Sequence, residues 1–224
     1  MNAGAKIERV GVLGGGLMGA GIAEVSARAG MDVVVIEANQ AAADDSRARL
    51  EKSLERAVKA DKIESDVMIS TMDRLHFGAD LDQMADRQLV VEAIVENEEA
   101  KTAAFRSIDR ILTDDDAIIA SNTSSIPIMK LAMATERPGS VIGIHFFNPV
   151  PVLHLVELVT SLHTSPDTVE RAEAFAQEQL GKRTILSKDR AGFIVNALLI
   201  PYLLSAIRMF ESGFASKEDI DQGM

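Results

Sequence analysis

The chain has 224 residues, 47% of them hydrophobic and 25% charged, with a formal net charge of −11. That balance excludes a disordered or fibrous chain; the acidic surface argues against nucleic acid as a partner, yet leaves room for an anionic small molecule held by a local basic patch. With no cysteine, four histidines without a close pair and 4% aromatics, disulfides, thiol chemistry, a metal centre and a base-stacking platform are not expected.

Residues 1–8 lack the apolar core of an export signal, which Glu8 interrupts. The most apolar later run, 192–207, contains Asn196 and Pro201 and falls short of a bilayer span. A cytoplasmic chain without a membrane segment is expected.

Residues 7–13 read as a short strand ending in glycines. Residues 16–29 have helical spacing, with Met18, Ile22, Val25 and Ala29 on one side and Gly30 as the stop. Residues 32–37 are β-branched and continuous, as in a strand buried on both faces. A long helix follows at 41–62, with Leu50, Leu54, Ala57 and Val58 turned inward. Strands are predicted at 74–77 and 89–95 with a short helix at 80–86, then a helix at 98–112 and a strand at 117–120. This alternation predicts a parallel sheet with helices on both faces.

The pattern then changes. Residues 141–147 and 153–160 are apolar strands separated by Asn148-Pro149-Val150-Pro151, a link short enough for antiparallel pairing and too short for a crossover. A helix at 167–180 ends at Gly181, and 184–187 is a strand. From Gly192 to Met209 the chain is helical and strongly apolar, and it needs packing partners that the sequence does not supply. Ser216 caps a last helix at 216–221.

Gly14-Gly15-Gly16-Leu17-Met18-Gly19 matches G-x-G-x-x-G, placed between a predicted strand and a predicted helix as the mechanism requires. Gly14 allows the tight turn, Gly16 a close approach to a pyrophosphate, and Gly19 close helix–strand packing. Leu17 and Met18 complete the loop, whose helix offers free N–H groups to phosphate. Glu37 ends the second strand, where a carboxylate accepts bonds from ribose hydroxyls and repels a 2′-phosphate; no arginine follows it. NAD is therefore expected as cofactor. The fold class is α/β: a Rossmann-type doubly wound sheet, mostly parallel with an antiparallel extension, over 1–189, followed at 190–224 by the beginning of an all-α domain.

His145 and Glu157 are symmetric about Pro151, so a hairpin centred there sets them opposite each other on one face. A carboxylate bonded to one imidazole nitrogen fixes the tautomer and makes the other nitrogen more basic, which suits proton removal from a hydroxyl. The same spacing also suits a buried pair that only satisfies itself. His154 has the opposite parity to Glu157 and is expected on the other face of the sheet; His76 and His163 read as surface residues without partners. Residues 121–125 (Ser-Asn-Thr-Ser-Ser) follow a parallel strand, where ligands bind in open α/β sheets, though Ser124 or Ser125 serves equally as an N-cap for a helix at Pro127. Asn196 is a polar group expected to be buried in an apolar helix and to need a partner. Arg49, Lys52, Arg56 and Lys59 share a helix face; a solvated face balanced by Glu51 and Glu55 explains them more simply than a site for a ligand's phosphates.

Segments 14–21, 91–97, 120–125 and 145–152, with Val156-Glu157 and Gly192-Phe193-Ile194-Val195-Asn196, together resemble the L-3-hydroxyacyl-CoA dehydrogenases, bacterial 3-hydroxybutyryl-CoA dehydrogenases included, in order over nearly the whole chain. The resemblance implies NAD-dependent interconversion of (3S)-3-hydroxyacyl-CoA and 3-ketoacyl-CoA. It assigns His145 as general acid/base and Glu157 as its orienting partner, with Ser124 and Asn196 bonding the reacting oxygen or the histidine. It sets Glu96, Lys101 and Asn122 beside the cofactor, Asn148 beside the substrate, and Ser53 and the basic face around Lys59 against coenzyme A, with Ala60 where some members carry lysine. It also implies a homodimer and a longer helical domain, so that the chain is expected to be truncated at its C-terminus. Two other readings stay open: a dehydrogenase of another 3-hydroxy acid or a sugar acid, and a non-catalytic NAD-binding protein.

Overall fold

Eight strands form one sheet in the computed structural model, which describes residues 6–224; residues 1–5 of the stretch examined for an export signal lie outside the described residues. In chain order the strands are β1 (Arg9–Leu13), β2 (Asp32–Ile36), β3 (Leu75–Gly78), β4 (Leu89–Glu92), β5 (Ile118–Ser121), β6 (Val141–Phe146), β7 (Leu155–Thr160) and β8 (Arg183–Lys188). Their spatial order is β3-β2-β1-β4-β5-β6-β7-β8. The order reverses between β1 and β4, which opens a crevice at the carboxyl ends of the strands, the place where such sheets bind ligands. Of the neighbouring pairs only β6 and β7 run antiparallel, as the short link between them predicted.

The strand side chains split by parity into two apolar layers. Val33 and Val35 join Val10, Val12 and Ile144 under helices α1 (Leu17–Arg28) and α2 (Gln40–Lys59), through Ile22, Leu50 and Leu54. Val34 and Ile36 join Val90, Ile119 and Val141 on the other face, against Phe105 and Ile108 of α4 (Glu98–Ile111) and Ile128 of α5 (Ile128–Ala132). Each fully buried leucine, Leu50 or Leu54 for instance, contributes roughly 1.5–3 kcal/mol.

Several boundaries differ from expectation. Helix α3 (Ser65–Met72) was not anticipated; eight residues span little more than two turns, too short to establish a helical period. The fourth strand stops at Glu92 because that side chain folds back to accept the Ile94 amide at 2.8 Å, turning the chain out of the sheet. The short helix at 80–86 is a single 3-10 turn at Leu81–Met84. Helix α6 (Pro166–Ala174) widens into a π-type turn over Phe175–Gln179. The seventh strand begins at Leu155, so His154 precedes it; His154 is exposed, and its carbonyl accepts the Arg183 amide, so it has no place on the opposite sheet face. His76 is exposed as expected but does have a partner, Asp32, at 2.9 Å. Partial burial raises the Asp32 carboxyl, and the bonds and charges of Arg87 and His76 outweigh this and hold it low.

Helix α7 (Val195–Glu211) has no buried residue, and it packs on α8 (Lys217–Gly223). The apolar run thus lacks the partners it was expected to need. No helix among the described residues is long and apolar enough to cross a membrane.

Candidate active site

The glycine loop is built as its spacing requires. Gly14 has φ +92°, which a side chain would strain, and a Cβ on Gly19 would stand 1.7 Å from the Gly14 carbonyl oxygen. Gly16, by contrast, faces open space, and no side chain caps the start of α1 there. The first amides of α1 are therefore free of a side-chain cap, as a helix terminus that receives a phosphate requires. Glu37 stands at the end of β2 and lines a cleft of roughly 560 Å3 with Gly14, Gly16, Ala38, Leu81 and Val95. Its Oε1 accepts the Gly15 amide at 2.8 Å and the Ser46 hydroxyl at 2.9 Å, so the acid both stiffens the loop and lines the cleft. These residues fit a dinucleotide. Leu17 is 67% exposed and outside the cleft lining, while Met18 lines the neighbouring cleft.

That second cleft, roughly 320 Å3, brings together Met18, Glu96, Lys101, Asn122, Ser124, His145 and Asn148. His145 lies on β6 directly opposite Glu157 on β7, and its Nδ1–H donates to Glu157 Oε2 at 2.8 Å. Glu157 is fully buried and His145 is 6% exposed. The imidazole is held between the rings of Phe147 and Phe193, centroids 4.5 and 5.7 Å away. Nε2 is thus left as the nitrogen open to the cleft. Glu157 Oε1 accepts the amides of Ile194 and Val195, both at 3.0 Å, so the same carboxylate caps the start of α7. Strand spacing does not reveal that second duty.

A polar network lies behind the second cleft, with Glu96 and Lys101 in its lining. Lys101, 1% exposed, donates to Glu92 and lies 3.4 Å from Glu96 Oε2. Glu92, fully buried, also accepts from Ser121 Oγ at 2.7 Å. Glu96 Oε1 takes Thr123 Oγ1, Ser125 Oγ and the amides of Ser124 and Ser125. Partial burial raises the Glu96 carboxyl, but these bonds and the charge of Lys101 outweigh it, and the group is held below its ordinary range. Ser124 and Ser125 do not cap the helix after Pro127, whose Met129 amide goes to Asp189 Oδ2 at 2.7 Å; their own amides go to Glu96 instead. Asn122 Oδ1 accepts the Phe146 amide at 2.9 Å, pinning β6 one residue beyond His145. Sequence reasoning marked Ser121 and Thr123 only as part of the 121–125 segment and gave Glu92 no role; a lone acid ending an apolar strand was the available signal.

A third cleft, roughly 420 Å3, lies beside the link between β6 and β7 and is lined by Arg28, Ser53, Arg56, Lys62, Pro149 and Pro151 among others. Ser53 Oγ donates to Glu24 Oε2 at 2.9 Å. Burial pushes the Glu24 carboxyl up, against the bond from Ser53 and the charges of Arg28 and Arg56. Of the anticipated basic face only Arg56 belongs here. Lys59 is exposed and outside the lining, and Arg49, also exposed, donates to the Gly15 carbonyl at 2.8 Å and is not part of this cleft. Asn196 is half-buried in the first turn of α7, not buried as expected, and lies outside the lining of the catalytic cleft, because α7 packs on no other layer there.

Comparison with known proteins agrees with this arrangement. The family description "3-hydroxyacyl-CoA dehydrogenase, NAD binding domain" matches residues 9–190, and "3-hydroxyacyl-CoA dehydrogenase, C-terminal domain" matches 192–224. A 3-hydroxybutyryl-CoA dehydrogenase of Mycobacterium tuberculosis is 56% identical over 97% of this chain and 76% of its own length. The human mitochondrial hydroxyacyl-coenzyme A dehydrogenase is 42% identical over 97% of this chain and 71% of its own. The solved (S)-3-hydroxybutyryl-CoA dehydrogenase PaaH1 of Ralstonia eutropha superposes with a TM-score of 0.93 at 41% identity, covering 98% of this chain and 77% of that one. The chain is an NAD-dependent oxidoreductase and belongs to the 3-hydroxyacyl-CoA dehydrogenase family.

Proposed function

We propose that His145 carries the proton in the interconversion of (3S)-3-hydroxyacyl-CoA and 3-ketoacyl-CoA, and that short acyl chains such as 3-hydroxybutyryl are its substrates. The observation that carries this reading is the buried His145–Glu157 pair with Nε2 open to a cleft beside the glycine loop. When bound, NAD supplies the acceptor for the hydride that leaves the substrate carbon. The neutral imidazole takes the hydroxyl proton at Nε2, and Glu157 stabilises the resulting cation through Nδ1–H. In the reduction, protonated His145 polarises the ketone and returns the proton to its oxygen.

Ser124 holds the reacting oxygen from the cleft wall. Glu96, Lys101, Asn122 and Met18 form the wall on the nicotinamide side, Leu17 covers the glycine loop, and Glu37 faces the ribose. Asn148 meets the acyl end. The third cleft takes the coenzyme A moiety, with Arg28, Ser53, Arg56 and Lys62 nearest its phosphates. Fixed dipoles and correct placement supply much of the rate in such a site. Residues 1–189 belong to the cofactor domain, 190–224 begin the helical domain, and the exposed apolar residues of α7 support a homodimer.

NADH oxidation, followed at its absorbance with acetoacetyl-CoA as substrate, tests this reading. Turnover is expected. NADH binding without turnover would move the assignment to another hydroxy acid or to a non-catalytic NAD-binding protein.

A further inference from the structure

Lys182, one residue before β8, is 8% exposed, and no carboxylate pairs with it among the described residues. Its Nζ donates instead to two carbonyls, Val150 at 2.7 Å and Leu153 at 2.8 Å. A buried ammonium without a counter-ion is costly. Burial, and after it the charge of Arg28, hold this ammonium below the ordinary lysine range. A chain that keeps such a group uses what it binds.

Both carbonyls belong to one turn. The amides of Val152 and Leu153 each donate to the Pro149 carbonyl at 3.0 Å, which closes residues 149–153 on themselves. The turn's other side rests on α1: Val150 is buried, and a Cβ on Gly21 would stand 2.8 Å from Val150 Cβ. The turn is therefore held from two sides, by a cation and by a helix face that glycine leaves flat. It also borders two clefts. Asn148, just before it, lines the catalytic cleft with His145, while Pro149, Pro151 and Val152 line the cleft that holds Arg28, Ser53 and Arg56.

We propose that Lys182 is a positioning residue for the substrate: its ammonium fixes the 149–153 turn, which walls the third cleft and directly follows Asn148 of the His145 cleft, and so sets affinity for the CoA thioester without touching it. The inference rests on the proposed function, which places coenzyme A in the third cleft.

Lys182→Met keeps most of the apolar stem and removes the charge; Lys182→Arg keeps the charge. In the full chain Lys182→Met is expected to raise KM for acetoacetyl-CoA about tenfold while kcat falls less than about threefold, the pattern of lost binding rather than lost chemistry. The Kd for NADH, read by fluorescence, stays as it was, and Lys182→Arg recovers most of the KM. Gly21→Ala pushes the turn from the opposite side and raises KM with Lys182 in place, which keeps the test open should Lys182→Met fail to fold. Hydrogen exchange at the Val152 and Leu153 amides quickens in Lys182→Met, a readout that needs no turnover. An active chain whose KM and amide exchange ignore Lys182→Met would overturn this inference alone, as would a rise in KM matched by an equal loss of NADH affinity. Failure of the unaltered chain to bind or turn over acetoacetyl-CoA would overturn the functional reading, and the substrate role of Lys182 with it.

Discussion

Glu157 serves His145 and the following helix with separate oxygens: Oε2 holds the Nδ1 proton at 2.8 Å, and Oε1 holds the amides of Ile194 and Val195 at 3.0 Å. The orientation of the imidazole and the starting angle of α7 are thus fixed by one buried carboxylate. Any change at Glu157 acts on both.

Glu157→Gln retains an acceptor for one set of partners and removes the charge that stabilises the imidazolium. It is expected to lower kcat by about 10²-fold, within the range for general acid–base contributions, and to shift the pH profile of kcat. The Kd for NADH should be nearly unchanged, because no cofactor-side residue touches Glu157. A pH profile identical to that of the unaltered chain would remove Glu157 from the mechanism.

His145→Gln removes the proton carrier itself. Turnover of acetoacetyl-CoA is expected to fall by about 10³-fold or more, with NADH binding intact. Loss of both activities together would instead assign His145 a structural role between Phe147 and Phe193.

The Glu92–Lys101 pair makes a stability prediction. Both groups are buried, and Lys101→Met leaves the Glu92 carboxylate with only the Ile94 amide and the Ser121 hydroxyl. Removing one member of a buried pair costs about 3–5 kcal/mol. Denaturant unfolding of the variant measures it; a loss below about 1 kcal/mol would mean that water replaces the ammonium beside Glu92.

Glu96 predicts a pH dependence. Its carboxyl is held below the ordinary value of 4.5, so its charge stabilises the fold fully above that value, and the contribution is lost as pH falls through the lower folded value. Glu96→Gln keeps an acceptor for Thr123, Ser124 and Ser125 but removes the charge. Its Tm should lie below that of the unaltered chain at neutral pH, and the two should converge in acid. A gap that widens on acidification would contradict the sign.

The sheet and its chemistry were legible to different degrees. The glycine loop, Glu37 and the His145–Glu157 register follow from local spacing, because strand parity and a short proline-containing link leave few alternatives. The Glu96 and Lys101 contacts were not readable from spacing, since they join residues from the end of β4, the start of α4 and the loop after β5. Lys59 and Asn196 were misplaced for a related reason. A helical face shows which residues point together, not what they point at. Arg56, Lys62 and Arg28 meet at one cleft only because α1 and the segment after α2 come together there.

Two alanine substitutions in the glycine loop separate binding from folding. Gly16 has φ −60° and open space beyond its Cα, so Gly16→Ala adds a methyl group without strain. That methyl stands where a pyrophosphate approaches the helix terminus. Gly16→Ala is expected to keep its Tm within a few degrees and to raise the Kd for NADH by about tenfold or more, through loss of close phosphate contact. In Gly19→Ala the new Cβ would lie 1.7 Å from the Gly14 carbonyl oxygen, a backbone atom that cannot rotate away. The turn must open or the helix must shift, so this variant is expected to lose stability first and cofactor affinity as a consequence. Thermal unfolding and NADH titration on the same samples decide between the two. Equal loss of Tm in both variants would mean that Gly16 is not an open approach but part of the packing.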